Sequence, residues 1–252
     1  MIKRKIDYSL HLADTTLILS QRNAEWCGHG PVLEQDIAIT NISLDLVGQA
    51  RNFYQYAAEL INQSVDKSTH PATEDSLAYL RTEREFKNCL LVEQPNEDWA
   101  QTILRQFFFS NYQFLLYREL QKSNDSQLAA IAEKSLKEVT YHLRWSSEWV
   151  IRLGDGTAES HQRMLQAIDE LWRYTGELFN AADYEKEAGI NPSLFQPQWL
   201  SKVKEVFEEA TLPVPEKTFM QSGGKTGTHT EHLGFILTEL QYIQRAYPDS
   251  QW

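Results

Sequence analysis

EVTYHLRWSSEW, residues 138–149, places Glu138 and His142 about one helical turn apart among aromatic residues. On a bundle helix, a Glu followed three residues later by a His is half of a carboxylate-bridged di-iron site. Here the residue at that spacing is Tyr141, and the His comes one place late. The row Ile131, Ser135, Glu138, His142, Trp145, Trp149 steps by four and three, so it forms one helix stripe. Two polar groups in a largely apolar stripe are predicted to be buried, and buried polar groups need partners. Whether this helix holds a metal depends on what the rest of the chain brings to it.

Working outward, long stretches of helical periodicity alternate with clumps of Gly and Pro. They predict helices over 7–24, 33–62, 74–92, 98–122, 126–153, 159–182, 199–210 and 230–246. Pro31 precedes the second, whose first turn carries Glu34 and Asp36, where the helix dipole favours anions. Thr228 or Thr230 is placed to cap the last. Two helical hairpins, 7–62 and 98–153, are thus joined by a long crossover with a helix of its own. No strand pattern or repeat period breaks this order. The expected fold is all-α: a ferritin-like helix bundle with one long crossover and additional C-terminal helices, in a single domain over 1–252. The competing pattern is a simple up-and-down array.

The net charge of −11 argues against a nucleic-acid binder, which needs a basic face, and against an anionic membrane surface as partner. Cys27 and Cys89 form no CxxC and no Cys/His cluster, which fits free thiols in a reducing cytoplasm. The basic start MIKRKIDYSLHLAD lacks the apolar region of a signal peptide, and no apolar run is long enough to span a bilayer.

A di-iron bundle takes one Glu from each of two helices and a Glu-x-x-His from each of the other two. In an antiparallel hairpin, residues equidistant from the loop lie level. That counting sets Asp14 opposite Asp45, with Gly48, not His, three residues on. It sets Glu138 level with Ser110 and Asn111, and no carboxylate occurs between Asp98 and Arg118. None of the 7 histidines has Asp or Glu three residues before it. The vestigial positions are therefore Asp14, Asp45, Gly48, Ser110, Glu138 and His142. The expectation is no catalytic, cofactor-binding or metal-ligating residue, with Glu138, His142, Asp14 and Asp45 forming a hydrogen-bonded or ion-paired core network. A mononuclear metal on Asp45, Glu138 and His142 is the alternative.

SGGKTGTHTEH, 222–232, resembles a phosphate loop, but Phe219 stands where the first Gly belongs and no strand pattern precedes it. His229, Glu231 and His232 miss the HExxH order of zinc enzymes. A glycine-rich entry into a helix accounts for both. In RTEREF, 81–86, Arg81 and Glu85 read as an i,i+4 pair on a solvated face. The 7 tryptophans are expected mostly in the core, with some at an interface.

LSQRNAEWCGH (19–29), ISLDLVGQARNFYQYAAEL (42–60), TEREFKNCLLVEQPN (82–96), KEVTYHLRWS (137–146) and SGGKTGTHTEHLG (222–234) together resemble the C-subunit family of bacterial phenylacetyl-CoA 1,2-epoxidases. The resemblance implies a ferritin-like fold related to the catalytic A subunit of the same multicomponent monooxygenase. In that assembly the di-iron centre and the binding site for the CoA thioester lie in the A subunit. A small B subunit bridges, and a separate reductase supplies electrons from NADPH. The C subunit packs against A as a scaffold. The function expected from the resemblance is that of a non-catalytic scaffold in aerobic phenylacetate degradation, with di-iron in the partner and none in this chain. A metal-dependent oxygenase using Asp14, Asp45, Glu138 and His142, or a free-standing helical binding protein, are the rivals.

Overall fold

Four long helices carry the architecture in a computed structural model that describes residues 2–64, 71–216, 218–248 and 250. They are α1 (Ile2–Ala24), α2 (Leu33–Ser64), α5 (Trp99–Leu120) and α6 (Ser126–Gly154). Between α2 and α5 runs the crossover, with α3 (Glu74–Tyr79) and α4 (Leu90–Glu93). After α6 come α7 (Ala158–Leu171), α8 (Asp183–Glu187), α9 (Gln196–Glu209) and α10 (Glu231–Ala246). No strand occurs among the described residues. The two antiparallel hairpins, α1–α2 and α5–α6, joined by one long crossover, make an all-α ferritin-like bundle. No helix among the described residues is long and apolar enough to cross a membrane.

The helix starts follow local chemistry. Asp98 accepts the Gln101 N–H at the head of α5, and Asp125 accepts the N–H groups of Gln127 and Leu128 at the head of α6. Thr157 and Ser160 form a reciprocal cap on α7. Pairing then sorts the helices by burial. α1 and α5 are central: every residue from Tyr8 to Ser20 and from Ala100 to Gln113 is buried. α2 and α6 flank them and keep one face on solvent. α4 and α8 pack on α1, α10 packs on the crossover, and α7 and α9 pack on α5, so one hydrophobic core runs through the molecule.

Two predicted helices do not form as single pieces. The 74–92 stretch breaks after Tyr79, makes one 3-10 turn over Glu83–Glu85, and is extended at Phe86 and Cys89 before α4. The break lets the chain lie along α1: the Lys87 N–H donates to Asp14 Oδ2 at 2.8 Å, and the Lys87 carbonyl lies 2.7 Å from His11 Nδ1. The 159–182 stretch stops at Leu171 and continues as two 3-10 turns, Trp172–Tyr174 and Gly176–Phe179. There Met220 packs so close to Gly176 that a Cβ would sit 2.6 Å from its Cγ. Thr230 occupies the position before α10, but its hydroxyl donates to Glu93 Oε1 at 2.8 Å instead of capping the helix.

Candidate functional site

α6 presents Glu138 and His142 towards α2, as their shared stripe requires. His142 is buried, and its Nε2 lies 2.9 Å from Asp45 Oδ2. Glu138 Oε2 accepts the Gln49 amide at 2.9 Å. Gln49 Oε1 in turn accepts Gln113 Nε2 and the Tyr117 hydroxyl, both at 3.0 Å. A polar relay thus runs from α6 through α2 to α5. The sequence reading missed Gln49, Gln113 and Tyr117, whose signal is weak: each is one uncharged polar residue inside an apolar helix. Burial raises the Glu138 pKa; the Gln49 hydrogen bond opposes this and the Asp45 charge adds to it. Because Glu138 acts by accepting an amide proton, Glu138→Gln keeps an acceptor in place. The variant is expected to shift stability by less than about 1 kcal/mol in a thermal melt. A large drop would mean that the carboxylate charge itself is required.

Asp14 does not join this group. It is fully buried on α1 and binds Tyr54, whose hydroxyl donates to Oδ1 at 2.6 Å, rather than anything at Asp45. Arg81 closes on it with both Nη atoms, and this guanidinium also donates to the carbonyl oxygens of Leu77 and Glu85. Its plane lies over Phe86, 4.3 Å from the ring centroid. The surface pair expected between Arg81 and Glu85 is absent. The Glu85 carboxylate binds Thr82 through its N–H and hydroxyl, both at 2.7 Å. The expected four-residue network is therefore two separate clusters, and Asp14 and Asp45 bond to different partners.

The other two positions point elsewhere. Ser110 is buried and accepts Gln106 Nε2 at 2.8 Å, while Gln106 Oε1 accepts Asn23 Nδ2 at 2.8 Å. Gly48 is exposed on the outside of α2, and a Cβ built there meets no atom within 4 Å. Among the described residues, no three His, Cys, Asp or Glu side chains come together to hold a metal ion. The residues at the ligand positions do not fit a di-iron centre: Asp14 is neutralised by an internal guanidinium, Asp45 meets the one His at these positions, and Glu138 is held by the Gln49 amide.

The sequence profile of the phenylacetic acid catabolic protein family matches residues 1–252. The chain belongs to this family. A relative in Escherichia coli (strain K12), the C subunit of 1,2-phenylacetyl-CoA epoxidase, is 49% identical over 250 residues, covering 97% of this chain and 98% of the relative.

In this family member two segments of the resemblance, 82–96 and 222–234, are packed on each other. The phosphate-loop look-alike does bind an anion, but the anion is the chain's own Glu177. Glu177 Oε1 accepts the N–H groups of Gly223 at 2.7 Å and Lys225 at 3.4 Å, and Oε2 accepts that of Leu90 at 2.7 Å. Burial raises the Glu177 pKa, and the backbone N–H groups oppose it. Lys225 reaches away from the loop to the buried Glu185, 3.0 Å from Oε2, and to the carbonyl oxygens of Leu178 and Asn180. The loop needs Gly224 because a Cβ there would collide with the Asn88 carbonyl oxygen, and Gly227 because its φ is +84°.

His229 is also spent internally. Nδ1 lies 2.9 Å from Glu93 Oε2 and Nε2 lies 3.0 Å from the Phe86 carbonyl. A carboxylate at Glu93 and the Phe86 carbonyl both act as acceptors, so this geometry suits a protonated imidazole with both ring nitrogens donating. Burial alone disfavours that charge; the hydrogen bond to Glu93 and its negative charge outweigh it, and the pKa is raised. Neither nitrogen is left for zinc. A folded pKa above the unfolded value of about 6.5 contributes stability that is complete below that value and lost as pH rises through the folded pKa. We expect the melting temperature to fall as pH is raised above about 6.5, and this component to vanish in His229→Gln. Identical pH slopes for the two proteins would exclude the charged pair.

Proposed function

We propose that this chain is a non-catalytic scaffold subunit of a phenylacetyl-CoA epoxidase, active in aerobic phenylacetate degradation and stabilising a separate catalytic di-iron subunit. The observation that carries the reading is Arg81. A guanidinium held on Asp14 inside the bundle supplies the positive charge that a buried carboxylate requires, and a metal cannot share that site. The remaining acids are engaged by His142 and Gln49. The likeness to an epoxidase subunit supports assignment to a hetero-oligomer, with the A subunit as stable partner, the small B subunit bridging and the reductase visiting transiently. Two free cysteines, one buried and one exposed, agree with a cytoplasmic setting. The bound iron then belongs wholly to the partner. The test is reconstitution: the purified A subunit is assayed for phenylacetyl-CoA epoxidation, with reductase and NADPH, in the presence and absence of this chain. Activity and solubility of A should depend on this chain, and Glu138→Gln should leave activity unchanged. Full activity of A alone would remove the scaffold role. Activity of this chain alone would favour an oxygenase.

A further inference from the structure

α1 and α5 do not close completely on each other. A cavity lies between them, walled entirely by buried side chains, with Cys89 of the crossover and Lys225 of the glycine-rich loop completing the wall. It leaves about 10 Å³ in which the centre of a water-sized body can move. One water needs about 10–15 Å³ on that measure. Three polar atoms on residues of this wall have no hydrogen-bond partner among the described residues: Thr15 Oγ1, the Tyr112 hydroxyl and Gln113 Oε1. A buried polar atom without a partner is costly, so three around one cavity point to an occupant. The other polar groups of the wall are engaged elsewhere. Thr16 donates to the Leu12 carbonyl, Tyr117 donates to Gln49, and Lys225 is held by Glu185.

The chemistry of the occupant follows from the relay, read from its far end. The Glu138 carboxylate accepts Gln49 Nε2, which leaves Gln49 Oε1 to face α5. That oxygen accepts Gln113 Nε2, so the Gln113 oxygen is the end left over. An amide oxygen can only accept, and the occupant must therefore bring a proton to donate, which excludes a halide ion. Burial raises the Tyr112 pKa, so its phenol keeps its proton and can donate to the occupant in return. A metal cation finds no matching charge here. The wall holds no carboxylate, burial keeps the Cys89 thiol neutral by raising its pKa, and the Lys225 ammonium stands in the wall. A neutral body of one heavy atom that both donates and accepts is a water molecule.

We infer that this cavity is a binding site for one buried water, held by Thr15 Oγ1, the Tyr112 hydroxyl and Gln113 Oε1, and that the water carries the relay across to α1. Tyr112 donates to the water and the water donates to Gln113. From there each amide donates onward to the Glu138 carboxylate, so every bond runs in one direction and each polarises the next. Through the water, all four long helices share one hydrogen-bonded network. The site goes beyond the scaffold function and does not depend on it. The test is a high-resolution crystal structure of the full chain, with and without xenon pressure. The unmodified chain should show one ordered water within hydrogen-bond reach of the three atoms and no xenon, because only a dry apolar cavity takes up xenon. Thr15→Val and Tyr112→Phe should each lose that density. In thermal melts the double variant should fall by clearly less than the sum of the two single shifts, because the first substitution already loosens the water that both residues share. A cavity without density, xenon in the unmodified chain, water density that persists in both variants, or melting shifts that add in full would each overturn the inference. The unmodified chain decides the matter even if a variant does not fold.

Discussion

Arg81→Ala is expected to cost about 3–5 kcal/mol of folding stability, the usual effect of removing one partner of a buried ion pair. Arg81 is 9% exposed and Asp14 fully buried. Burial works against the guanidinium charge, but Asp14 and Tyr54 hold it, so its pKa lies above the ordinary arginine range. Without it, the Asp14 carboxylate keeps only the Tyr54 hydroxyl and the Lys87 N–H. In a chain of this size the melting temperature should fall by on the order of 10 °C. The double variant Asp14→Leu/Arg81→Met should recover a large part of the loss, because it removes both charges together. Equal losses from single and double variants would mean that the pair does not act as a unit.

The second large effect is at the glycine-rich loop. Lys225→Met is expected to destabilise by a similar amount, about 3–5 kcal/mol, by leaving Glu185 charged and buried. The side chains of Lys225 and Glu185 are 5% and 0% exposed. Glu185 would retain the Ala182 N–H and a His11 ring nitrogen 3.9 Å away, which is too little to replace the ammonium. If the loop were a nucleotide site, ATP would raise the melting temperature of the unmodified chain by mass action, and Lys225→Met would abolish that rise without large destabilisation. An unchanged melting temperature with ATP, together with a large drop in the variant, is the outcome that fits an internal staple.

The long helices are legible in the sequence because each obeys a local rule. A capping Asp opens α5 and α6, and the apolar spacing repeats along them until Gly or a polar turn ends it. The stripe through Glu138 and His142 correctly places His142 inside. The crossover is not legible, because its shape answers needs set far away in sequence. Asp14 takes its cation from Arg81, 67 residues on, so the helix pattern at 74–92 breaks to deliver that guanidinium and the Lys87 N–H. Locally, Arg81 and Glu85 are indistinguishable from a surface pair. The glycine loop shows the same limit: its pattern resembles an anion cradle, but the anion sits 46 residues earlier in the chain. Counting from the hairpin loop pairs Asp14 with Asp45, yet the long Tyr54 side chain reaches Asp14 instead. The same counting makes Gly48 a lost ligand facing inwards, while the burial of Gln49 and the exposure of Val47 and Gly48 turn that position to the outside.

The scaffold function proposed above rests on an internal guanidinium and a polar relay at the positions a metal centre would need. The direct measurement is iron binding by the isolated chain, loaded anaerobically with Fe(II), desalted and assayed for metal per polypeptide. The expected result is iron near zero, unchanged in Glu138→Gln. Stoichiometric iron that is lost in Glu138→Ala, Asp45→Ala or His142→Ala would contradict the claim and make this chain a metalloprotein in its own right.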